Sequence, residues 1–499
     1  MNGRRLGRGV VATAGAAGLV ALAALSATAG ASAAASSDAP SATGRPALKL
    51  VAGSIDVTLD NSPDYGVDLD LGTHMVSGNA PVEVRATRAT YASPVVATQY
   101  VNGKAARQLP KGLVTDFSGL GKFLHVTVTD ARGKKVLDKD QTVCLNGDGS
   151  RTRPDAPATS PYPGDCAANP FTQGAVWGLQ TGWSVHTFNG DAAPVQLAVG
   201  KYKAVVTVNK AYRDFFRIPA NAASVKLNLT IQKAQDCVRG CFGAKKAKSL
   251  ALKANPARPT GKASVPKGPK PDLRPVPAWG IQVAPGDEGT PDANKDFLQF
   301  SATVWNAGPS PLVLDGFRRQ GKDLMDAYQY FYDAHGKQVG YQTTGTLEWD
   351  GRPGHNHWHF TDFARYSLLN AKQTEVVRSQ KEAFCLAATD AIDYTVKNAN
   401  WHPGNTDLHT ACGDHSSLSV REVLDVGNGD TYVQTLPGQS FDITTLPNGT
   451  YYVQVTANPE HRLYESSTTN NVALRKVVLG GTLHHRTVKV PPVGVINIP

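Results

Sequence analysis

The stretch LHVTVTD (residues 124–130) alternates apolar and polar residues along an extended chain, and this pattern most constrains the fold. It recurs in YKAVVTVN (202–209), VKLNLTI (225–231), FLQFSATVW (297–305) and YYVQVTA (451–457), each alternating or rich in β-branched residues. Gly, Pro, Asn and Asp bound these runs, and few stretches carry a helical period. The pattern predicts an all-β protein built as two β-sandwich-like domains.

A composition shift places the division. Residues 242–271 (FGAKKAKSLALKANPARPTGKASVPKGPKP) are rich in Lys, Pro and Ala and read as an extended basic linker. It separates an N-terminal β-sandwich-like domain at 46–241 from a C-terminal domain at 272–480, with a tail at 481–499. Residues 1–33 read as a secretory signal: Arg4, Arg5 and Arg8 precede an apolar Ala/Val/Leu run and the small residues Ala31-Ser32-Ala33. No other long apolar run is present, so the expectation is a secreted, extracellular protein with no membrane span. In that setting six cysteines read as disulfides. Proximity in sequence pairs Cys144 with Cys166, Cys237 with Cys241 and Cys385 with Cys412.

Charge is uneven. Residues 272–480 carry 16 basic and 24 acidic residues, against 35 and 17 in the rest of the chain. The overall balance of +10 therefore hides an acidic C-terminal domain, which suits cationic substrates. The basic linker suits anionic cell-wall polymers, or simply solubility. Nothing points to specific nucleic-acid reading.

The two domains echo each other. LAVGKYKAVVTVN (197–209) resembles LPNGTYYVQVTAN (446–458), and DQTVCL (140–145) resembles KEAFCL (381–386). Trp183 precedes Tyr202 by the same spacing that separates Tyr432 from Tyr451. The first domain thus reads as a possible degenerate copy, with Asp140 at the place of Lys381 and Trp183 at the place of Tyr432.

GHNHWHF (354–360) holds three of the chain's 13 histidines. On a strand, His355, His357 and His359 share one face, and three neutral imidazoles suit Cu(II) or Zn(II) rather than Ca(II) or Mg(II). Trp358 turns to the other face.

The ordered set DLRP, FSATVWNAGPSPL, WDGRPGHNHWHFTDFARYSLLNA, KEAFCL, GDTYVQTLPGQSFDIT and LPNGTYYVQVTANPEHRLYESSTTNNV resembles the lysyl oxidase family, in a secreted bacterial form, from Asp272 to about Leu479. The resemblance implies Cu(II) on His355, His357 and His359. It implies a lysine tyrosylquinone made from Lys381, before the F-C-L motif, and Tyr432, in the D-T-Y motif. The implied activity is oxidation of primary amines, lysyl ε-amines among them, by O₂ to aldehydes, with release of ammonia and hydrogen peroxide. The sequence departs from the vertebrate pattern: WDGRPG replaces the residues before the histidines, Arg365 stands where the family has a further histidine, and fewer cysteines are present.

A carboxylate must take the proton beside the amine. Asp430, two residues before Tyr432 on the same strand face, is the first candidate, with Asp362 and Asp442 behind it. Two other readings need only the histidines: a non-catalytic copper- or zinc-binding extracellular module, and hydrolysis at an open zinc.

Overall fold

The computed structural model describes residues 48–188, 190, 192–234, 258–319, 321–333, 335–351, 356–379, 381, 383–403, 412–436 and 438–499. Residues 1–47, with the expected signal segment, residues 235–257 with Cys237 and Cys241, and His355 lie outside the described residues.

Alternation builds the strands as the sequence suggests. In Leu120–Asp130, Leu124, Val126 and Val128 are fully buried while the residues between them turn outward. Gly449–Ala457 does the same with Val453 and Val455. Each such side chain contributes about 1.5–3 kcal/mol on burial. Among the described residues one seven-residue α-helix, Lys210–Phe216, interrupts an otherwise all-β chain.

Each half is three sheets around its own apolar core. In the N-terminal half one sheet runs Leu48–Ala52, Thr73–Ser77, Trp183–His186, Gly149–Arg151. A second runs Gly174–Leu179, Val82–Thr87, Val96–Val101, Lys104–Gln108. The third contains Ser224–Lys233, Gly200–Val208, Leu120–Asp130, Lys135–Val143 in that order.

The C-terminal half repeats all three orders. They are Leu273–Pro275, Asp296–Asn306, Asn428–Tyr432, Asp390–Ala391; then Ser419–Leu424, Leu312–Arg318, Leu324–Tyr332, Gln338–Asp350; then Val472–Thr482, Gly449–Ala457, Ala364–Asn370, Glu375–Arg378. Tyr202 and Tyr451 even make the same corner, each hydroxyl donating to a carbonyl four residues upstream, at 2.8 Å. Beyond this shared plan, the second of these C-terminal sheets is extended by two strands, His357–Thr361 and Ala383–Phe384. These carry or flank the candidate site.

Register aligns the halves residue by residue. Leu120 pairs with Val143, and Phe360 pairs with Phe384, each partner one residue before a disulfide cysteine. Counting back, Gly119 falls at His359, Phe117 at His357 and Asp140 at Lys381. Val82–Leu179 corresponds to Leu312–Leu424, which sets Trp177 at Glu422, Val185 at Asp430 and Thr187 at Tyr432. The pairing of Val185 with Met75, and of Asp430 with Val304, agrees. Trp183 therefore corresponds to Asn428, not Tyr432; equal spacing to a later tyrosine misses a four-residue difference in the intervening loop.

The halves share an interface. Phe171 joins Val276, Trp305, Ile392 and Ile496 in one apolar cluster. Asn169 Nδ2 donates to Thr303 Oγ1 at 3.0 Å and to Asp390 Oδ2 at 3.3 Å, and Thr172 Oγ1 donates to the Ala391 carbonyl at 3.0 Å. Residues 258–271 lie against the C-terminal half: Ser264 bridges to Tyr341, and Arg258 pairs with Asp326. The segment 481–499 is also docked, His485–Lys489 pairing with Val472–Thr482.

Candidate active site

His357 and His359 come off one strand with ring centroids 4.6 Å apart and planes crossing at 84°. His359 is buried, and its Nδ1 lies 3.5 Å from Asp350 Oδ2. Strand alternation sends Trp358 to the opposite face, where it is fully buried and its indole N–H donates to the Asp414 carbonyl at 2.9 Å. Two imidazoles in this arrangement fit a nitrogen-ligated metal such as Cu(II).

Lys381 and Tyr432 are brought together from points 51 residues apart. The Lys381 amine is buried and lies 4.5 Å from the centre of the Tyr432 ring and 5.3 Å from that of Phe384. The Tyr432 hydroxyl accepts from the Cys385 amide at 2.8 Å and donates to the Cys385 carbonyl at 3.0 Å. The disulfide Cys385–Cys412 anchors that backbone, and Cys144–Cys166 does the same in the N-terminal half.

The histidine strand and the lysine–tyrosine pair meet at Phe384. Phe360 and Phe384 are cross-strand partners on one face, and the Tyr432 ring packs edge-on against Phe384 at 5.0 Å. His357 and His359 alternate to the other face. The short strand Ala383–Phe384 thus ties the histidine strand to the Lys381–Tyr432 pair.

Of the three candidate carboxylates, Asp430 lies in this box. It is buried, and burial pushes its carboxyl well above the usual range, while nearby Lys381 pulls it down. Asp362 and Asp442 lie elsewhere, paired with Arg462 at 3.2 Å and Lys295 at 3.6 Å. Arg365 is taken by Glu460. Burial also raises the Tyr432 and Tyr366 phenols, with Asp430 adding to both.

Glu422 is a member that sequence reading missed. It is fully buried, and burial holds its carboxyl well above the ordinary value. A signal existed: in SVREVL (419–424) the alternation sets Glu422 between Val420 and Leu424, and all three are fully buried.

Fold and site together define an all-β protein with a histidine strand beside a buried lysine–tyrosine–carboxylate cluster. Residues 329–488 match the lysyl oxidase family model. Lysyl oxidase homolog 3B of Danio rerio is 30% identical over 128 residues, covering 26% of this chain and 14% of that protein. Protein-lysine 6-oxidase of Homo sapiens is 34% identical over 126 residues, 25% of this chain and 26% of that protein. The Rattus norvegicus protein of the same name is 32% identical over 139 residues, 28% and 29% respectively. Residues 329–488 are thus similar to the lysyl oxidase family. The matches span under a third of these relatives' own lengths. No helix among the described residues is long and apolar enough to cross a membrane.

Proposed function

We propose that the C-terminal half is a copper- and quinone-dependent amine oxidase acting outside the cell. A primary amine, O₂ and water would give an aldehyde, ammonia and hydrogen peroxide. The observation that carries this reading is the Lys381 amine 4.5 Å from the Tyr432 ring, with Asp430 in the same buried box. His355, His357 and His359 would hold the copper, and Lys381 and Tyr432 would supply the quinone. When bound, the metal with O₂ supplies the oxidising power for the ring, and the quinone accepts two electrons from the amine.

The chain's own residues supply the rest. The Cys385 backbone orients the Tyr432 hydroxyl and leaves one ring face to the lysine. Phe384 and Tyr366 exclude water around the pair. Asp430 takes the proton from the carbon beside the amine. The acidic charge of this half attracts an ammonium substrate, a lysyl side chain included. We also read the N-terminal half as a degenerate copy, a reading supported by its three repeated strand orders and its Asp140 at the place of Lys381.

Peptide mapping of copper-loaded, aerobically matured protein tests the proposal. The Lys381 and Tyr432 peptides should be joined, with visible quinone absorbance. Lys381→Ala and Tyr432→Phe should each abolish absorbance and peroxide release while copper stays bound. A fully active preparation containing only unlinked peptides overturns the enzyme reading. Copper binding with neither crosslink nor turnover leaves a metal-binding module.

A further inference from the structure

Consecutive backbone amides serve the buried acidic groups of the box. The Cys385 amide donates to the Tyr432 hydroxyl at 2.8 Å and the Leu386 amide to Glu422 Oε2 at 3.1 Å. The neighbouring Ala387 backbone lowers the Asp430 carboxyl against the rise from burial. One short segment, pinned by the Cys385–Cys412 disulfide, therefore sets the positions of the tyrosine and of both carboxyls.

The second oxygens of the carboxyls differ from the first. Among the described residues, Glu422 Oε1 and Asp430 Oδ2 are buried without a hydrogen-bond partner. The charged and titratable groups acting on the pair are Lys381, Asp390, Tyr366 and Tyr432. Asp390 is itself buried and hydrogen-bonded to Thr431 and Asn169, and its charge opposes that of Asp430. Lys381 is the cation acting on Asp430. Two carboxylates in one low-dielectric box, with one such cation among the described residues, cannot both ionise without a large cost.

We propose that Glu422 is a positioning residue that stays protonated, reserving the negative charge of the Glu422–Asp430 pair for Asp430, the carboxylate beside Lys381 and Tyr432. Its neutral carboxyl carbonyl also keeps the Leu386 amide satisfied, and so holds the segment that grips Tyr432. Burial raises both carboxyls; Lys381 pulls back that of Asp430, whereas Asp430 adds to the rise at Glu422, which agrees with this assignment. The consequence for turnover rests on the amine oxidase reading; the protonation state does not.

Infrared difference spectroscopy of the metal-free full chain at neutral pH reads the protonation state directly. A carboxylic-acid carbonyl stretch should be present, lost in Glu422→Gln and retained in Asp430→Asn. Absence of the band in the wild type, or its loss in Asp430→Asn alone, overturns the proposal. In turnover, Glu422→Leu strips the Leu386 amide of its acceptor and should lose about tenfold in kcat, the scale of one unsatisfied buried donor. Glu422→Gln, neutral and able to accept from that amide, should regain most of that loss. If Glu422→Gln is instead as dead as Asp430→Asn, Glu422 is the ionised base and the proposal falls. A wild type that shows the band but never oxidises amines sinks the enzyme reading and leaves the carboxyl assignment standing.

Discussion

The two halves share three strand orders, yet equivalent positions hold opposite chemistry. Where the C-terminal half buries Glu422 and Asp430, the N-terminal half buries Trp177 and Val185. Where the one buries Lys381, the other exposes Asp140, bonded to His125 and Asn209 on the surface. At the place of His359 stands Gly119, with φ of +135° and so close to the next strand that an added Cβ would lie 2.5 Å from the Val143 carbonyl oxygen. One scaffold therefore tolerates either an apolar core or a polar box. The polar box costs stability, because each buried carboxyl must give up water. A protein selected for stability alone would keep the N-terminal solution, so the polar box marks the half selected for chemistry.

The harshest way to break the comparison is to move the acid across. Trp177→Glu places a carboxyl in the apolar core that now buries Trp177. It should cost more than about 4 kcal/mol, combining cavity and unpaired-acid terms, and a urea melt would show it. A small effect would mean that the N-terminal core already holds polar partners for an acid.

The shared interface comes next. Phe171→Ala empties the cluster with Val276, Trp305 and Ile392 and should cost about 3–5 kcal/mol. Denaturation followed separately in each half should show both transitions moving. If only the N-terminal transition moves, the halves fold independently, and a 272–480 fragment would stand alone.

His359→Gly gives the C-terminal half the N-terminal residue and should abolish stoichiometric copper binding. The milder Asp350→Asn removes the carboxylate beside His359 Nδ1 and should weaken copper about 10- to 100-fold in chelator competition. Equal affinity in both variants would place the metal elsewhere.

The smallest effect is on pH dependence. The folded-state pKa of Glu422 is raised, so the folded protein holds a proton that the unfolded chain releases near pH 4. Stability from this group is present below that pH and is lost as pH rises toward the folded value, at no more than about 1.4 kcal/mol per pH unit. Melts of wild type and Glu422→Gln across this range should diverge by that slope. The N-terminal counterpart Trp177 has nothing to titrate.

Much of the architecture was legible in the chain. Alternation in LHVTVTD and YYVQVTA located strands because burial on one face demands a two-residue period. Cys144–Cys166 and Cys385–Cys412 followed from nearness in sequence. Glu422 was written in its own strand, as an acid on an apolar face, but looks like an ordinary surface glutamate unless neighbouring positions are read together. The four-residue error over Trp183 arose because spacing counts loop residues, whereas register counts only paired ones.

By itself, then, the sequence determined the all-β class, the two-residue spacing of the histidines and which side chains share a strand face. These are local properties, set by backbone geometry over a few residues. Only the tertiary structure decided how Lys381 sits against the Tyr432 ring, that Asp430 rather than Asp362 or Asp442 joins them, and that Ala383–Phe384 ties this pair to the histidine strand. Those outcomes depend on which sheet faces pack together across 50 or more residues, and the alternation within a strand says which side is inward without saying what waits there.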